Sequence, residues 1–409
     1  MSELLVTPTR EAGLTQAESF LGRAGRDYAK SRNYDFGADR RGNVSVMSPW
    51  LRHRLVLEEE LLESVLARHA FSSAQKFIEE VFWRAYFKGW LEQHSRVWSD
   101  YRACMKSGVE QLDANAELHD AFKRAIEGKT GIDCFDFWAR ELTDTGYLHN
   151  HARMWFASIW VFTLRLPWQL GADFFLRHLL DGDPASNTLS WRWVSGLHTV
   201  GKTYLARASN IEKYTEGRFN PEGQLASTAP ALTEEQTYSA EPLLEAVNLP
   251  DDQPFGLLIT EDDCAPEIDL LPRPPAAIMG LTATPTRSPM PVAAHACEFA
   301  AGAVGDALAR ANQAFGVASK LVGHDEWEAR VIEWANANNI SVVATPYAPV
   351  GPVRDLLSAA GDKLNEQGIE LRYLRRGYDD LCWPHATRGY FKLKKKIPAI
   401  LKQLGLSQQ

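Results

Sequence analysis

The stretch Asp181-Gly-Asp-Pro-Ala-Ser-Asn-Thr-Leu-Ser-Trp-Arg-Trp193 is the most informative part of the sequence. Two carboxylates, one amide and two tryptophans fall within thirteen residues. Tryptophan presents an extended π-face and a single N–H donor. Carboxylate and amide groups next to such faces suit a planar, redox-active ring with polar edges better than they suit an apolar core. The stretch therefore predicts a pocket for a ring-shaped ligand.

Length and composition narrow the class of protein. The chain has 409 residues, which is long enough for two domains, and 45% of them are hydrophobic. No apolar run reaches the roughly 18–20 residues that a membrane span needs. The first residues, MSELLVTPTREAG, lack the basic and apolar regions of a signal peptide. The five cysteines include no CxxC pair, so neither a disulfide framework nor a metal site is expected. We therefore expect a cytoplasmic protein.

The charge is unevenly distributed along the chain. The net charge is −8, but residues 223–269 contain 11 acidic residues and no Lys or Arg. Residues 1–222 are nearly neutral, and the end of the chain is basic. Because phosphate binding needs local positive charge rather than a high overall isoelectric point, a nucleic-acid partner is not excluded.

Hydrophobic periodicity predicts two domains and a linker. Residues 1–222 have apolar residues at helical spacing, and no alternation of period two. Residues 223–253 are polar and acidic, which is typical of a linker. Residues 254–409 contain four short apolar runs, at 255–260, 276–282, 340–345 and 369–374, with helical patterns between them. The predicted fold is α + α/β: an all-helical domain, then a smaller, Rossmann-like α/β domain with a parallel sheet. A basic amphipathic helix is predicted at 390–405.

Six motifs in chain order resemble the FAD-binding domain of DNA photolyases and cryptochromes, over about residues 26–221. They are Tyr28-Ala-Lys-Ser-Arg-Asn33, Ser45-Val-Met-Ser-Pro49, Glu80-Val-Phe-Trp-Arg84, Gly128-Lys-Thr-Gly131, Gly146-Tyr-Leu-His-Asn-His-Ala-Arg-Met154 and the opening stretch. The fourth is not a nucleotide P-loop, because Arg124 stands where the upstream glycine belongs. In the family an α/β antenna domain precedes this region. Here an α/β region follows it, an arrangement that looks like the short photolyase-like proteins without an antenna domain.

The resemblance implies non-covalently bound FAD. The residues that it assigns to the cofactor are Tyr28, Ser45, Met47, Ser48, Phe77, Glu80, Arg153, Asp181, Asp183 and Asn187. Among these, Arg153 pairs with Asp181 and Asn187 lies at flavin N5. Ser48-Pro49 taken alone also indicates an ordinary helix N-terminus.

The resemblance also implies a binding site for damaged DNA. Trp83, Arg84 and Trp193 would hold an extruded dinucleotide, since two indole faces can stack on bases. Asn150 and Met154 match the pattern for cyclobutane pyrimidine dimers rather than that for (6-4) lesions, which uses histidines. From the residues alone, Glu80 and Arg84 also fit a plain surface ion pair over a half-buried tryptophan.

An electron relay of tryptophans is a further implication. Trp191 matches the position nearest the flavin and Trp168 the middle one. The family's distal tryptophan falls near Asn115, where the sequence has none. The candidates to replace it are Trp98, Tyr101, Trp155 and Trp160.

The implied activity is that of a deoxyribodipyrimidine photo-lyase, a carbon–carbon lyase. Excited, reduced flavin passes an electron to the cyclobutane dimer, the dimer splits, and the electron returns. The catalytic residues would be Glu80, Asn150, Met154, Trp168 and Trp191. The near-neutral helical region predicts few phosphate contacts and so a preference for single-stranded DNA. We expect a monomer with no membrane partner.

Two alternatives stay open. One is a cryptochrome-like blue-light photoreceptor that binds FAD without repair. The other is a structural or DNA-binding module whose flavin site has decayed. The iron–sulfur branch of the family is not expected, because only Cys104 and Cys134 precede residue 222.

Overall fold

A computed structural model of the chain describes residues 6–245, 247–251 and 253–406. Among the described residues up to 222, all regular secondary structure is helical, as the periodicity predicts. The helices are α1 (Arg10–Leu21), α2 (Arg26–Ser31), α3 (Ser48–Arg52), α4 (Glu58–Arg68), α5 (Phe71–Glu92), α6 (Arg96–Ala114), α7 (Ala116–Ile126), α8 (Asp133–Thr145), α9 (Asn150–Ser158), α10 (Trp168–His178), α11 (Pro184–Val194) and α12 (Ala208–Tyr214). A π-helical turn, Ile159–Thr163, extends α9.

Local sequence explains where several of these helices begin and end. The side chains of Thr9, Asn115 and Asp183 accept hydrogen bonds from backbone N–H groups in the first turns of α1, α7 and α11. Such caps satisfy donors that the helix itself leaves unpaired. Helix α8 ends at Gly146, whose φ of 63° lies in the left-handed region that favours glycine.

The C-terminal part is a parallel sheet covered by helices. Its strands are β1 (Gly256–Thr260), β2 (Ala277–Leu281), β3 (Ser319–Val322), β4 (Val342–Pro346) and β5 (Glu370–Leu374), in the order β3-β2-β1-β4-β5. The helices between them are α13 (Ala294–Phe315), α14 (Trp327–Ala337) and α15 (Pro352–Glu366). Four strands were predicted; β3 was missed because its sequence, Ser-Lys-Leu-Val, contains only two apolar residues and so forms no apolar run.

The end of the chain differs from the prediction of one basic helix. The structure has α16 (Gly377–Cys382), α17 (Phe391–Lys394) and α18 (Ile397–Gln403). Pro398 lies in the first turn of α18, where it needs no N–H partner, whereas within a continuous helix it would remove a hydrogen bond. The prediction of a continuous helix over 390–405 was therefore wrong.

The acidic segment runs along the helical part. Residues 223–245, 247–251 and 253 contain no helix or strand. The backbone N–H of Glu241 donates to the carbonyl of Gln93 at 2.7 Å, and Glu234 pairs with Arg192. One hydrophobic core cluster contains side chains from both the helices and the sheet, for example Phe82 of α5 and Leu257 of β1. The division into domains at 222 and 254 stays a prediction.

The turn after α3 docks onto the carboxyl end of β1. Arg52 contacts Asp262 at 2.6 Å, and Nδ1 of His53 donates to the carbonyl of Glu261 at 2.6 Å. Arg54 binds both carboxylate oxygens of Asp379 at 2.7 and 2.8 Å. These contacts are buried, so the helical part and the sheet share an interface of paired charges.

The loop after β4 completes this interface. The hydroxyl of Tyr347 and the N–H of Val350 both donate to the Glu92 carboxylate at 2.6 Å. A Cβ added to Gly351 would lie 2.8 Å from Cγ of Pro184, so glycine permits this loop to touch α11. No helix in the described residues is both long and apolar enough to cross a membrane.

Candidate cofactor and DNA-lesion site

Helix α5 supplies one side of the candidate site. Glu80 forms an ion pair with Arg32, and burial raises the pKa of Glu80, an effect that Arg32 opposes. In the described part of the chain Glu80 makes no ion pair with Arg84, so the alternative prediction of a surface pair was wrong. Tyr28 is buried beside this pair; burial, and then the Glu80 carboxylate, raises the pKa of its phenol.

Helices α9 and α11 supply the second side. The predicted contact between Arg153 and Asp181 is present: Nη2 of Arg153 lies 3.1 Å from each carboxylate oxygen. Nε of Arg153 donates to the carbonyl of Leu148 at 2.8 Å, which fixes the orientation of the guanidinium. Gly182 follows Asp181. A Cβ at this position would lie 2.9 Å from the carbonyl oxygen of Leu176, so the chain packs here because the residue is glycine.

Asn187 presents a free acceptor. Its Nδ2 donates to the carbonyl of Ala172 at 2.8 Å. Because a carbonyl can only accept, the amide oxygen must point the other way, and it has no hydrogen bond to the residues described. Asn187 is 8% exposed. A fixed, unpaired amide oxygen in a nearly buried position suits the N–H of a ring, which is the role that the resemblance gives to Asn187.

Asp183 is the centre of a buried charge cluster. One of its oxygens accepts from the N–H of Ser186 at 2.7 Å, and the other lies 3.9 Å from Nζ of Lys88. Burial alone would raise the pKa of Asp183, but Lys88, Arg84 and Arg52 lower it to about 2. The carboxylate is therefore ionised under all ordinary conditions.

Some N–H donors of the cations in this cluster have no hydrogen-bond acceptor among the described residues. Nε and Nη2 of Arg84 and Nζ of Lys88 are buried without a hydrogen-bond partner in the described residues. Unpaired buried donors are costly, and a bound anion would satisfy them. FAD carries a diphosphate, so these donors fit the charge of that cofactor.

The predicted phosphate loop is only partly polar. Met47 and Phe77 are 1% and 4% exposed and belong to the core cluster, where the Phe77 ring lies 5.2 Å from that of Tyr28. Ser45 and Ser48 are half-buried. Helix α3 begins at Ser48, and Met47 precedes it without a side-chain cap, so Ser48 is not the N-cap.

The two predicted stacking tryptophans differ in their surroundings. Trp83 is covered by Tyr390, whose ring lies parallel at 3.7 Å between centroids. Trp193 has a looser neighbour, Tyr204, at 5.8 Å. Tyr204 also lines an open cavity of about 490 Å³. The other lining residues are Thr203, Leu205, Arg207, Asn210 and Ala229.

Helix α9 lies next to this cavity. The ring of His151 contacts the hydroxyl of Tyr204 at 3.3 Å, and Nε1 of Trp155 donates to Asn210 at 3.0 Å. Asn150, the first residue of α9, is exposed, and Met154 one turn later is half-buried. Asn150 and Met154 thus lie on the helix that contacts Tyr204, and Tyr204 in turn contacts Trp193.

The histidines beside Asn150 are held by the backbone. Nε2 of His149 lies 3.1 Å from the carbonyl of Arg32, and Nδ1 of His151 lies 2.9 Å from that of Asn33. Burial lowers the pKa of His149 to about 4, and burial also lowers the pKa of His151. Both rings are neutral at pH 7, which does not favour a role as proton donors.

Part of the chain is similar in sequence to known proteins. Residues 77–242 match the family described as the FAD binding domain of DNA photolyase. Those residues belong to the FAD-binding domain family of DNA photolyases. The match begins after Tyr28 and the Ser45–Ser48 loop, and it extends into the predicted linker. The cofactor of this family is FAD.

Individual relatives match about half of the chain. A Deoxyribodipyrimidine photo-lyase of Streptomyces griseus is 34% identical over 190 residues, which are 46% of this chain and 39% of the relative. Cryptochrome DASH of Idiomarina loihiensis is 26% identical over 219 residues, or 52% of this chain and 46% of the relative. The chain thus spans less than half the length of either. The crystal structure of a bacterial class III photolyase from Agrobacterium tumefaciens has a TM-score of 0.44 at 24% identity, covering 52% of this chain and 44% of that one.

Aromatic rings extend from the FAD-binding domain toward the sheet. The Trp191 ring lies 6.1 Å from that of Trp160. A Cβ added to Gly171 would lie 2.3 Å from Cη2 of Trp191, so only glycine lets α10 approach this ring. Trp168 lies 5.8 Å from Tyr101, which lies 5.4 Å from Trp98. Of the candidates for the distal position, Trp98 and Tyr101 therefore continue from Trp168, and Trp160 contacts Trp191.

Four residues of the FAD-binding domain and its surroundings were not assigned from the sequence. Arg32 is visible in the first motif, and Lys88 follows Arg84 by one helical turn, so local spacing could have revealed both. Tyr204 and Tyr390 come from distant segments and carry no local pattern. Their contacts depend on the tertiary fold.

Proposed function

We propose that this protein binds FAD and uses light to repair cyclobutane pyrimidine dimers in DNA. The observation that carries the proposal is the open cavity of about 490 Å³ lined by Tyr204, whose side chain contacts both Trp193 and His151 of α9. Its size lies in the range of about 300–1,000 Å³ typical of ligand sites. An exposed Asn150 and a half-buried Met154 lie on that helix, where a lesion could reach them.

The residues of the chain would hold the cofactor in three ways. Arg153 and Asp181 place a fixed pair of charges at one side, and Asn187 offers an acceptor to a ring N–H. Arg84 and Lys88 supply unpaired donors for a diphosphate. When bound and reduced, FAD supplies the light-absorbing electron donor of the reaction. The protein contributes orientation, exclusion of water and tuning of the ring environment.

A lesion would be held by stacking on Trp193 after extrusion from its strand. Extrusion is less costly where base stacking is already weak, as in damaged or single-stranded DNA. Because residues 1–222 are nearly neutral overall, binding of an intact duplex would gain little from phosphate contacts. The substrate we propose is therefore a dimer in a single strand, bound by a protein monomer.

We also propose that Trp98 ends the electron relay, with Tyr101 between it and Trp168. Both rings are nearly buried, at 2% and 3% exposure, and Nε1 of Trp98 donates to Asp355 at 2.9 Å. The hydroxyl of Tyr101 is buried without a partner. Light-driven reduction of bound, oxidised FAD, followed by absorbance, should slow in Trp98→Phe but not in Trp155→Phe. Equal rates would contradict this assignment.

The repair proposal is tested with purified protein loaded with FAD and chemically reduced. A thymine-dimer oligonucleotide is incubated with and without blue light, as a single strand and as a duplex. We expect light-dependent restoration that is faster on the single strand. A flavin-loaded protein that restores neither substrate would contradict repair, and equal turnover on both strands would contradict the strand preference.

A second candidate function is a blue-light photoreceptor, which the stack of Tyr390 on Trp83 favours. A covered Trp83 is not open to a base, and a sensor needs no such surface. Binding of dimer-containing DNA without light-driven reversal would support this alternative. Cytoplasmic location and the division at residues 222 and 254 stay predictions from the sequence.

A further inference from the structure

The segment 387–396 combines exposed cations with an exposed aromatic ring. Phe391 is 73% exposed, which is unusual for so large an apolar side chain. Arg388, Lys392, Lys395 and Lys396 are also exposed. We call this segment the basic arm. Lone apolar residues on a surface are common, but here the ring lies among like charges that repel one another.

The basic arm is attached to helix α5 by three contacts. The Tyr390 ring stacks on Trp83 at 3.7 Å, and its hydroxyl donates to the carbonyl of Glu79 at 2.9 Å. Nζ of Lys394 binds the Glu79 carboxylate at 2.8 Å. Phe391 follows Tyr390 directly. The arm therefore lies beside the tryptophan that the resemblance assigns to the lesion.

Few acidic groups offset the charge of the basic arm. Glu79 is shared between Lys394 and Lys76. Within the described residues, Arg388, Lys395 and Lys396 have no ion pair, and Lys392 only donates to the hydroxyl of Thr387 at 2.7 Å. Burial lowers the pKa of His385, and Lys396 and Lys392 lower it further. Lys392 and Lys396 thus both lie near His385, and the electrostatic potential there is positive.

We propose that the basic arm binds the DNA strand that carries the lesion, with its lysines on the phosphates and Phe391 stacked on a base. Lysines supply phosphate contacts, and exposed aromatic rings supply stacking that is independent of sequence. The arm would hold the strand beside α5 while the dimer enters the cavity at Trp193. This inference rests on the proposed function, because it specifies how the same substrate is bound.

The test uses undamaged, fluorescently labelled oligothymidylate in the dark, so it requires neither repair nor light. Fluorescence anisotropy gives the affinity of the full-length, FAD-loaded protein at several salt concentrations. The variant combines Lys392→Ala, Lys395→Ala and Lys396→Ala. The matched control combines Lys106→Ala, Lys123→Ala and Arg124→Ala, three exposed cations on α6 and α7.

Loss of three phosphate contacts lowers the salt slope on single strands by about 2. Between about 50 and 200 mM salt, the wild type should lose about twentyfold more affinity than the arm variant. The control variant should follow the wild type. If arm and control variants bind alike at every salt concentration, the proposal is overturned.

Phe391 is tested separately. Phe391→Ala and Phe391→Leu should both weaken binding by about five- to a hundredfold, because stacking needs a ring, and Phe391→Trp should restore it. Retained affinity in Phe391→Leu would overturn the stacking role. Loss of binding to anionic lipid vesicles with unchanged DNA binding would identify the arm as a membrane contact and also overturn the proposal. Failure of repair with intact DNA binding would contradict only the proposed function.

Discussion

The two sides of the candidate site are built from similar residues but are open to different degrees. The α5 side carries Trp83, Arg84 and Lys88, and its tryptophan is stacked under Tyr390. The α11 side carries Asp183, Asn187 and Trp193, and its tryptophan lies next to an open cavity through Tyr204. Two tryptophans assigned one role by sequence thus differ in the structure. A motif identifies a residue type, whereas packing decides whether that residue can be reached.

The largest expected change in the free energy of unfolding comes from the charges that join the two sides of the site. Asp183→Asn keeps the helix cap, since Asn also accepts from the N–H of Ser186, but it removes the negative charge that faces Lys88, Arg84 and Arg52. Loss of one partner of a buried ion pair costs about 3–5 kcal/mol. We expect that decrease in the free energy of unfolding by urea, together with weaker retention of FAD.

Asp133→Asn is the control for this prediction. Asp133 is exposed in the first turn of α8 and has no ion pair within the described residues. Its loss should cost about 0.3–1 kcal/mol, through the helix dipole alone. If both variants lose similar stability, the cluster around Asp183 does not join the two sides.

Low pH should reduce the contribution of Asp183 to the free energy of unfolding. Its pKa is about 2 in the folded protein and about 3.9 when unfolded. A lowered folded pKa stabilises the fold above the unfolded value, by roughly 2 kcal/mol, and that stability is lost as pH falls through 2. The difference in unfolding free energy between wild type and Asp183→Asn should therefore be constant from pH 7 to about 4.5 and should shrink below pH 4. A difference that first shrinks between pH 7 and 5 would assign the effect to another group.

The tryptophans test the comparison directly. Trp193→Ala should weaken binding of a dimer-containing oligonucleotide by about 1–3 kcal/mol, the usual loss of one stacked base. Trp83→Ala should weaken it by less than about 1 kcal/mol, because Tyr390 already occupies one of its faces. In a Tyr390→Ala background, Trp83→Ala should cost more than it does alone. Anisotropy titrations measure all four proteins, and equal losses for the two single variants would remove the distinction.

Removal of the Tyr390 hydroxyl is expected to have only a small effect on stability. Tyr390→Phe keeps the stack on Trp83 and removes only the hydrogen bond to Glu79. We expect about 0.5–1.5 kcal/mol lower stability in urea and unchanged binding of damaged DNA. Weaker DNA binding in this variant would show that the stack alone does not set the position of the basic arm.

Local patterns predicted that residues 1–222 are helical and that helices lie between the strands, because helical periodicity is encoded within a few residues. They also predicted four strands, of which β1, β2 and β4 are fully buried and β5 is a partly buried edge strand. Strand β3 was missed because its only apolar residues, Leu321 and Val322, are too few to form an apolar run. At the site, motifs indicated Arg153 with Asp181, but not the partners of Glu80 and Trp83. Those partners, Arg32 and Tyr390, lie far away in the chain and meet these residues only through packing.

The interface at the carboxyl end of the sheet has a consequence for ligand binding. Open parallel sheets hold ligands outside the carboxyl ends of their strands, where the strand order reverses, here between β1 and β4. In this protein the space there is filled by Arg52, Lys88 and the loop of Gly351, and the remaining cavity of about 10 Å³ has room for one water molecule. The helices thus occupy the crevice in which a ligand would otherwise bind. Any second chromophore would have to bind elsewhere on the sheet. Binding in the crevice would require the sheet to separate from the helices, which costs free energy.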